Sequence, residues 1–413
     1  GLTVVDGRFV YVRGMGERYS SSYLNDALLP SPEIDKRVVP LDLFPTSVIE
    51  SMAIQKTYSP DMLADFGGGA VRLRTIGIPE DRYKRRLRAT LKTSISYDMG
   101  TTFAERLLED PGRLDWLGID DGSREIPDSI ENAGQIVPAQ GGVIEGYSQE
   151  QIENFGESLP NTWAPSKQTV PLDLSIGGSV RDKIEFTEMS GLAFSASLLY
   201  KNGYNSFKRK EKSYGIGSND NLTTRTNYDL INNQHNVDIG GLIDLGLKVS
   251  DSINFEATTL LTRITGSETK QYTGYFSDNS VDIKVSVQSW VEEMLFNQKI
   301  GGEIGFNFLT QPTLKWQYSF SMADRYQPDT RTTTYETEPD ETNYHLTSRA
   351  EGAVREYTNV TDYIHDGSAH ITIPVFLFSE TSADFFYVGG QFLFRTRATD
   401  SRSFRFDYVE GEL

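Results

Sequence analysis

From about residue 86 to the C-terminus, apolar and polar residues alternate with a period of two, and helical periodicity is nearly absent. In the first such run Leu87, Ala89, Leu91, Thr93, Ile95 and Tyr97 share one face, with Arg86, Arg88, Thr90, Lys92, Ser94 and Ser96 opposite. One face suits lipid or a core and the other suits water. The alternation returns at 172–176, 192–200, 237–249 and 253–261, then near 283–308, 313–323, 355–376 and 383–397. Its cleanest stretch sets Leu314, Trp316, Tyr318, Phe320 and Met322 against Lys315, Gln317, Ser319 and Ser321. The pattern predicts about nine antiparallel strands of roughly 10 to 16 residues, longer than soluble sheets use. Short links near 181–190, 250–252, 309–313 and 377–382 alternate with long polar ones near 98–168, 202–227, 265–281 and 324–354. Short turns on one side and long loops on the other are the pattern of an outer-membrane barrel.

Composition narrows the function classes. The 413 residues carry 40 basic and 58 acidic side chains, a net charge of −18, which disfavours a nucleic-acid backbone as partner. There is no cysteine, and the four histidines (His235, His345, His365, His370) lack the i, i+4 spacing of a helical zinc motif. No apolar run approaches the ~18 residues of a membrane-spanning helix, a test to which barrel strands are invisible. Between Asp98 and Ser166 lie 14 acidic residues and three basic ones, Arg106, Arg113 and Arg124. This stretch reads as a solvated acidic loop facing the cell exterior, with short helices at 105–110 and 149–155. Asp115, Asp120 and Asp121 do not follow the calcium-loop spacing. Ser195 has no histidine near it in sequence and no paired carboxylates stand out, so the expectation is no enzyme, no metal site and no cofactor.

Residues 1–80 differ from the hairpins that follow. Short strands are expected at 9–14, 48–56 and 70–75, and Gly67-Gly68-Gly69 precedes the last, where only glycine permits close backbone approach or positive φ. Val12-Arg13-Gly14-Met15, Tyr23-Leu24-Asn25-Asp26, Leu41-Asp42-Leu43-Phe44-Pro45 and Val48-Ile49-Glu50-Ser51-Met52 follow one another in order. Lys56-Thr57-Tyr58-Ser59-Pro60-Asp61 and Gly67-Gly68-Gly69-Ala70-Val71-Arg72-Leu73-Arg74-Thr75 complete the series. In order and spacing these elements resemble the plug domain of TonB-dependent outer-membrane receptors. Leu114-Asp115-Trp116-Leu117-Gly118-Ile119-Asp120-Asp121-Gly122 and Trp290-Val291-Glu292-Glu293 extend the resemblance loosely into the rest of the chain.

The resemblance implies a mainly β fold, a plugged antiparallel outer-membrane β-barrel. Residues 1–80 would be the C-terminal part of an α+β plug, and 81–413 an incomplete barrel of about nine strands where the plugged class has 22. The chain is accordingly expected to be an internal fragment. The implied function is ligand-gated, energy-coupled uptake of a scarce nutrient of the siderophore, cobalamin, oligosaccharide or peptide class. Its expected partners are that nutrient, outer-membrane lipid, and a TonB-type energy-coupling complex acting through a segment missing from this chain. The implied ligand contacts at the plug apex are Glu17, Arg18, Tyr19 and Ser20, then Ser31, Glu33 and Asp35. Arg13 is expected to pair with inward barrel carboxylates, and Arg86, Arg88 and Lys92 to line the lumen. The alternatives are a surface-exposed β-rich adhesion module without transport, a porin-like channel and a barrel enzyme.

Overall fold

A computed structural model describes residues 2–5, 8–12, 19–36, 39–44, 49–59, 62, 67–75, 87–139, 146–216, 221–307, 310–339, 341–375 and 384–406. The chain is mostly β. Short strands come first: β1 (Leu2–Val5), β2 (Phe9–Val12), β3 (Ser20–Leu24), β4 (Ala27–Leu28), β5 (Ile49–Gln55) and β6 (Gly69–Thr75). β1 pairs with β2, and the others form a sheet in the order β4-β3-β6-β5. Asn25 and Asp26 turn β3 into β4 with φ of 48° and 67°, the positive values that a tight two-residue hairpin requires. Gly69 lets β6 cross β2 closely, since a Cβ there would lie 2.6 Å from Val12 Cγ1.

A large antiparallel sheet follows. β7 (Arg88–Ser96) is one edge, and an excursion then holds β8 (Glu105–Leu108), α1 (Asp128–Glu131), α2 (Gln149–Ser158) and β9 (Ser166–Thr169). Next come β10 (Asp173–Glu185), β11 (Gly191–Ile216), β12 (Leu222–Ser250), β13 (Ile253–Phe276) and β14 (Val281–Gly305). β15 (Thr313–Thr337), β16 (His345–Leu346), β17 (Ala353–Val375) and β18 (Asp384–Arg405) complete it. The order is β18-β17-β15-β14-β13-β12-β11-β10-β7, with β16 pairing the end of β15.

Two expectations change here. The central strands are far longer than the apolar pattern indicates, 29 residues in β12 and 25 in β14. The polar stretches expected as loops at 202–227 and 265–281 are largely strand, and 324–354 is strand as far as Thr337. Where both faces of a strand carry polar residues the alternation fades, yet the backbone ladder continues because its donors and acceptors are indifferent to side chain. Residues 105–108 form a strand rather than a helix, whereas the helix expected from 149 forms as α2, with Ser148 and Gln151 making a capping box.

The ladders fix which way side chains point. Pairing of β12 with β13 is free of register shifts from Thr226 to Lys248, and β13 with β14 throughout. Successive residues therefore alternate strictly between faces. Leu242, Leu260, Leu295 and Ala323 share one face and form a core with Val10, Val12, Leu24, Leu29, Leu43, Val71 and Leu73 of the N-terminal segment. We call this the inner face. Each such aliphatic residue contributes about 1.5–3 kcal/mol on burial, so a handful suffices to hold the segment. On the outer face, near the tight turns, Leu198, Ile243, Leu245, Leu247, Leu261, Ile300 and Ile371 remain exposed. Phe320 lies among Phe296, Tyr363 and His365 there, with ring centroids 5.0–6.1 Å apart.

The excursion packs on the opposite face from the N-terminal segment. Glu293 faces inward, where Oε2 accepts from Arg8 Nη2 at 2.5 Å and Arg325 also pairs with it. Its neighbour Glu292 faces outward, accepting from the Asp120 backbone N–H at 2.7 Å and from Trp290 Nε1 at 2.9 Å. β15 carries an extra residue near Asp329, since both neighbouring strands shift register between about Gln327 and Thr330. That bulge turns Arg331 to the outer face, where it meets Glu109 of the excursion.

Glu293→Gln should expose the N-terminal segment to proteolysis and leave the excursion protected, and Glu292→Gln should do the reverse. Each removes a charge from a pair with a buried carboxylate, a loss of about 3–5 kcal/mol when the partner is left uncompensated. Loosening of both units by either substitution would contradict the opposite-face arrangement.

Candidate binding site

The N-terminal segment climbs the inner face. Its Asn25–Asp26 turn lies toward the tight-turn end of the sheet, where the Asn25 carbonyl accepts from Lys299 Nζ at 2.9 Å and the Asp26 carbonyl from Gln317 Nε2 at 3.2 Å. Further along, the Leu28 N–H donates to Asp366 and the Ser31 N–H to Asp362. Arg397 then donates to the carbonyls of Ser31, Glu33 and Ile34, while Asp362 holds Arg395 and Arg397. Tyr19 precedes β3, which descends to the same turn, so Tyr19 lies with residues 31–35 at the end away from the tight turns.

Beyond that end the inner face is lined by polar groups. Asn232 and Gln234 amides donate to Glu268 at 2.7 and 2.9 Å, and Lys201 pairs with Asp238 at 3.6 Å. The wall then opens into a cavity of about 430 Å³ lined by Glu211, Tyr228, Leu230, Lys270, Tyr272, Phe276, Ile283, Val285, Thr332, Thr334, Arg349 and Glu351. Tyr272 lies eight residues past Ile264, the ladder partner of Glu293, so the cavity sits about 26 Å along the strand from the Arg8 clamp. Val281, Ile283 and Val285 form a buried cluster against Tyr228, Tyr272 and Phe276. Periodicity alone could not single out this cavity, because its lining is assembled from five strands, β11 to β15, and from the connection that leads to β17.

The acidic excursion is not the solvated loop that its composition predicts. Arg124 sits at its centre, 4% exposed, with Asp115 at 2.8 Å, Asp120 at 3.0 Å and Glu109 at 3.2 Å. Its guanidinium lies 4.2 Å from the Trp290 ring centroid, a cation–π contact with the outer face. Burial opposes the Arg124 charge, but the three carboxylates outweigh it and hold the pKa above its ordinary value. Asp115 and Asp120 thus spend their oxygens on a guanidinium. Thr265 Oγ1 donates to the Gly118 carbonyl at 2.7 Å, and Gly118 adopts φ of 64° where a Cβ would strike Thr265.

Of the expected apex residues, Tyr19 and Asp35 are exposed while Ser20 and Ser31 are buried. Glu33 is half-buried beside Arg8 at 3.6 Å. Glu17, Arg18, Arg13 and Arg86 lie outside the described residues. Among the described residues of the N-terminal segment, Arg8 pairs with an inward sheet carboxylate, Glu293. Burial opposes its charge, and Glu293 and Asp42 more than restore it, keeping its pKa above the ordinary value. Ladder pairing places Arg88 opposite Arg181 and Ser195, and Lys92 opposite Gly177 and Leu199, hence on the inner face. Both are solvent-exposed on the edge strand rather than packed against the N-terminal segment.

Burial, and then the negative charge of Glu293, push the Glu33 carboxyl above its ordinary value of 4.5. A raised pKa in the folded state contributes stability below the ordinary value and loses it as pH rises through the folded one. Hydrogen-exchange protection of residues 28–35, corrected for intrinsic rates, should therefore fall as pH rises from about 4.5 toward neutrality. Glu33→Gln should abolish that decline. A wild-type profile flat over this range would refute it.

No family model and no curated protein matches the chain. Among solved structures it is similar to one described as the RagAB peptide importer in the "open-open" state, with a TM-score of 0.34 and 12% identity. The alignment covers 93% of this chain and 52% of that one, so the chain spans about half the length of its structural neighbour. A likeness this distant decides neither fold nor function.

Proposed function

We propose that this chain is part of an outer-membrane receptor for energy-coupled uptake of a nutrient, residues 1–80 acting as plug and 81–413 as barrel wall. One observation carries the reading: the same strands that seat the N-terminal segment on their inner face expose an unbroken apolar band on the outer. A soluble protein rarely leaves so large an apolar surface to water. A lipid-facing strand does so by design, with polar residues turned to the lumen. The charged contacts of the segment with the wall, Arg8 to Glu293 and Arg397 to the 31–34 carbonyls, suit a part that must be held yet can be released. Hydrogen bonds and ion pairs can be exchanged for water one by one, whereas a purely apolar core must be opened at once. In this reading Ser31 and Glu33 anchor the apex, and Tyr19 and Asp35 face arriving cargo. An inner-membrane coupling complex supplies the pull.

Leu245 and Leu261 belong to the exposed apolar band. Arginine at either should cost about 2–4 kcal/mol of insertion at mid-bilayer. Leu245→Arg and Leu261→Arg should lose membrane yield and heat-modifiable electrophoretic mobility in the intact receptor, while Leu245→Ala keeps both. Recovery of the wild-type chain as a monodisperse species without detergent would instead favour the adhesion module.

A further inference from the structure

The cavity on the inner face holds a charge that the fold leaves unused. Arg349 Nη2 pairs with Glu336 at 2.7 Å and its Nε with Glu351 at 2.9 Å. Glu211 is paired with Arg209, and Glu268 accepts from two amides. Lys270, half-buried in the lining, has no hydrogen-bond or ion-pair partner among the described residues. Directly beyond it the floor is apolar: Tyr228 and Tyr272 lie with ring centroids 5.3 Å apart, beside Phe276, Leu230, Ile283 and Val285.

These two features select a ligand chemistry. A sugar buries many hydroxyls and needs free amides or carboxylates to receive them, whereas Leu230, Phe276, Ile283 and Val285 offer none and the rim carboxylates Glu211 and Glu351 are engaged by Arg209 and Arg349. A bulky neutral hydrocarbon would fill the floor but leave the Lys270 ammonium facing a desolvated group without gain. A molecule with an aryl or branched apolar body and one carboxylate satisfies both. We propose that this cavity binds small amphipathic organic anions, the carboxylate on Lys270 Nζ and the apolar body over Tyr228, Tyr272 and Phe276. The proposal rests on the reading of the inner face as the cargo-receiving side. It adds a substrate class to that reading, and it excludes neutral oligosaccharides from this cavity.

The test uses the full chain in detergent, titrated with 4-phenylbutyrate, 4-phenylbutyramide and maltotriose, with saturation-transfer NMR as readout. The acid should bind about two- to fivefold more tightly than its amide, the range expected of one partly exposed ion pair, and maltotriose should not bind. Lys270→Gln should remove the difference between acid and amide without abolishing binding of either, and Lys270→Arg should restore it. Tyr272→Ser should weaken acid and amide together. Equal binding of acid and amide to the wild type, an unchanged preference in Lys270→Gln, or a preference for maltotriose would overturn the proposal. So would the absence of any binding, and if the arginine variants in the apolar band still fail to insert, that result leaves the receptor reading standing.

Discussion

The structure depends on one constraint: hydrogen-bonded ladders that run from β11 to β14 with scarcely a register shift. A ladder without bulges leaves no freedom in side-chain direction, because each residue must point opposite to the last. Glu292 and Glu293 show the consequence most plainly. They are adjacent in sequence and both nearly buried, yet one meets the excursion and the other the N-terminal segment. An extra residue near Asp329 in β15 breaks the alternation, and it turns Arg331 toward Glu109 when regular alternation would have pointed it the other way.

On each face, buried charge rather than apolar contact decides where the covering unit sits. Arg8, Arg325 and Glu293 locate the N-terminal segment. Arg124, with Glu109, Asp115 and Asp120, locates the excursion. Such clusters add little net stability, since desolvation consumes most of the Coulomb gain, but a misplaced unit would leave several charges unpaired. The aliphatic core of Leu242, Leu260 and Leu295 supplies adhesion without specifying position. The two contributions are complementary: one is strong and indifferent to register, the other weak and exacting.

Much of the large sheet was legible from the alternation. The apolar faces at 87–97, 243–249 and 314–322 point outward as a group, the short link near 250–252 is a turn, and the one expected near 181–190 narrows to 186–190 because β10 runs to Glu185. The close approach expected at the glycine triplet occurs at Gly69 against Val12. Strand length was not legible, because beyond the apolar band polar residues occupy both faces and leave no periodic signal. Nor was the role of Arg124, which in sequence is one base in a strongly acidic stretch. The cavity was least legible of all, as Tyr228, Tyr272 and Val285 are neighbours only across two ladders.

The sequence alone determined the class of element, the face of each strand that would be apolar, and the exclusion of thiol chemistry. These are local properties: period, composition and turn residues act within a few positions of one another. Only the tertiary structure decided that the excursion lies on the opposite face from the N-terminal segment, that Arg8 meets Glu293, and that Lys270 is left over an aromatic floor. Each depends on register between strands far apart in the chain, and a shift of one residue would reverse it.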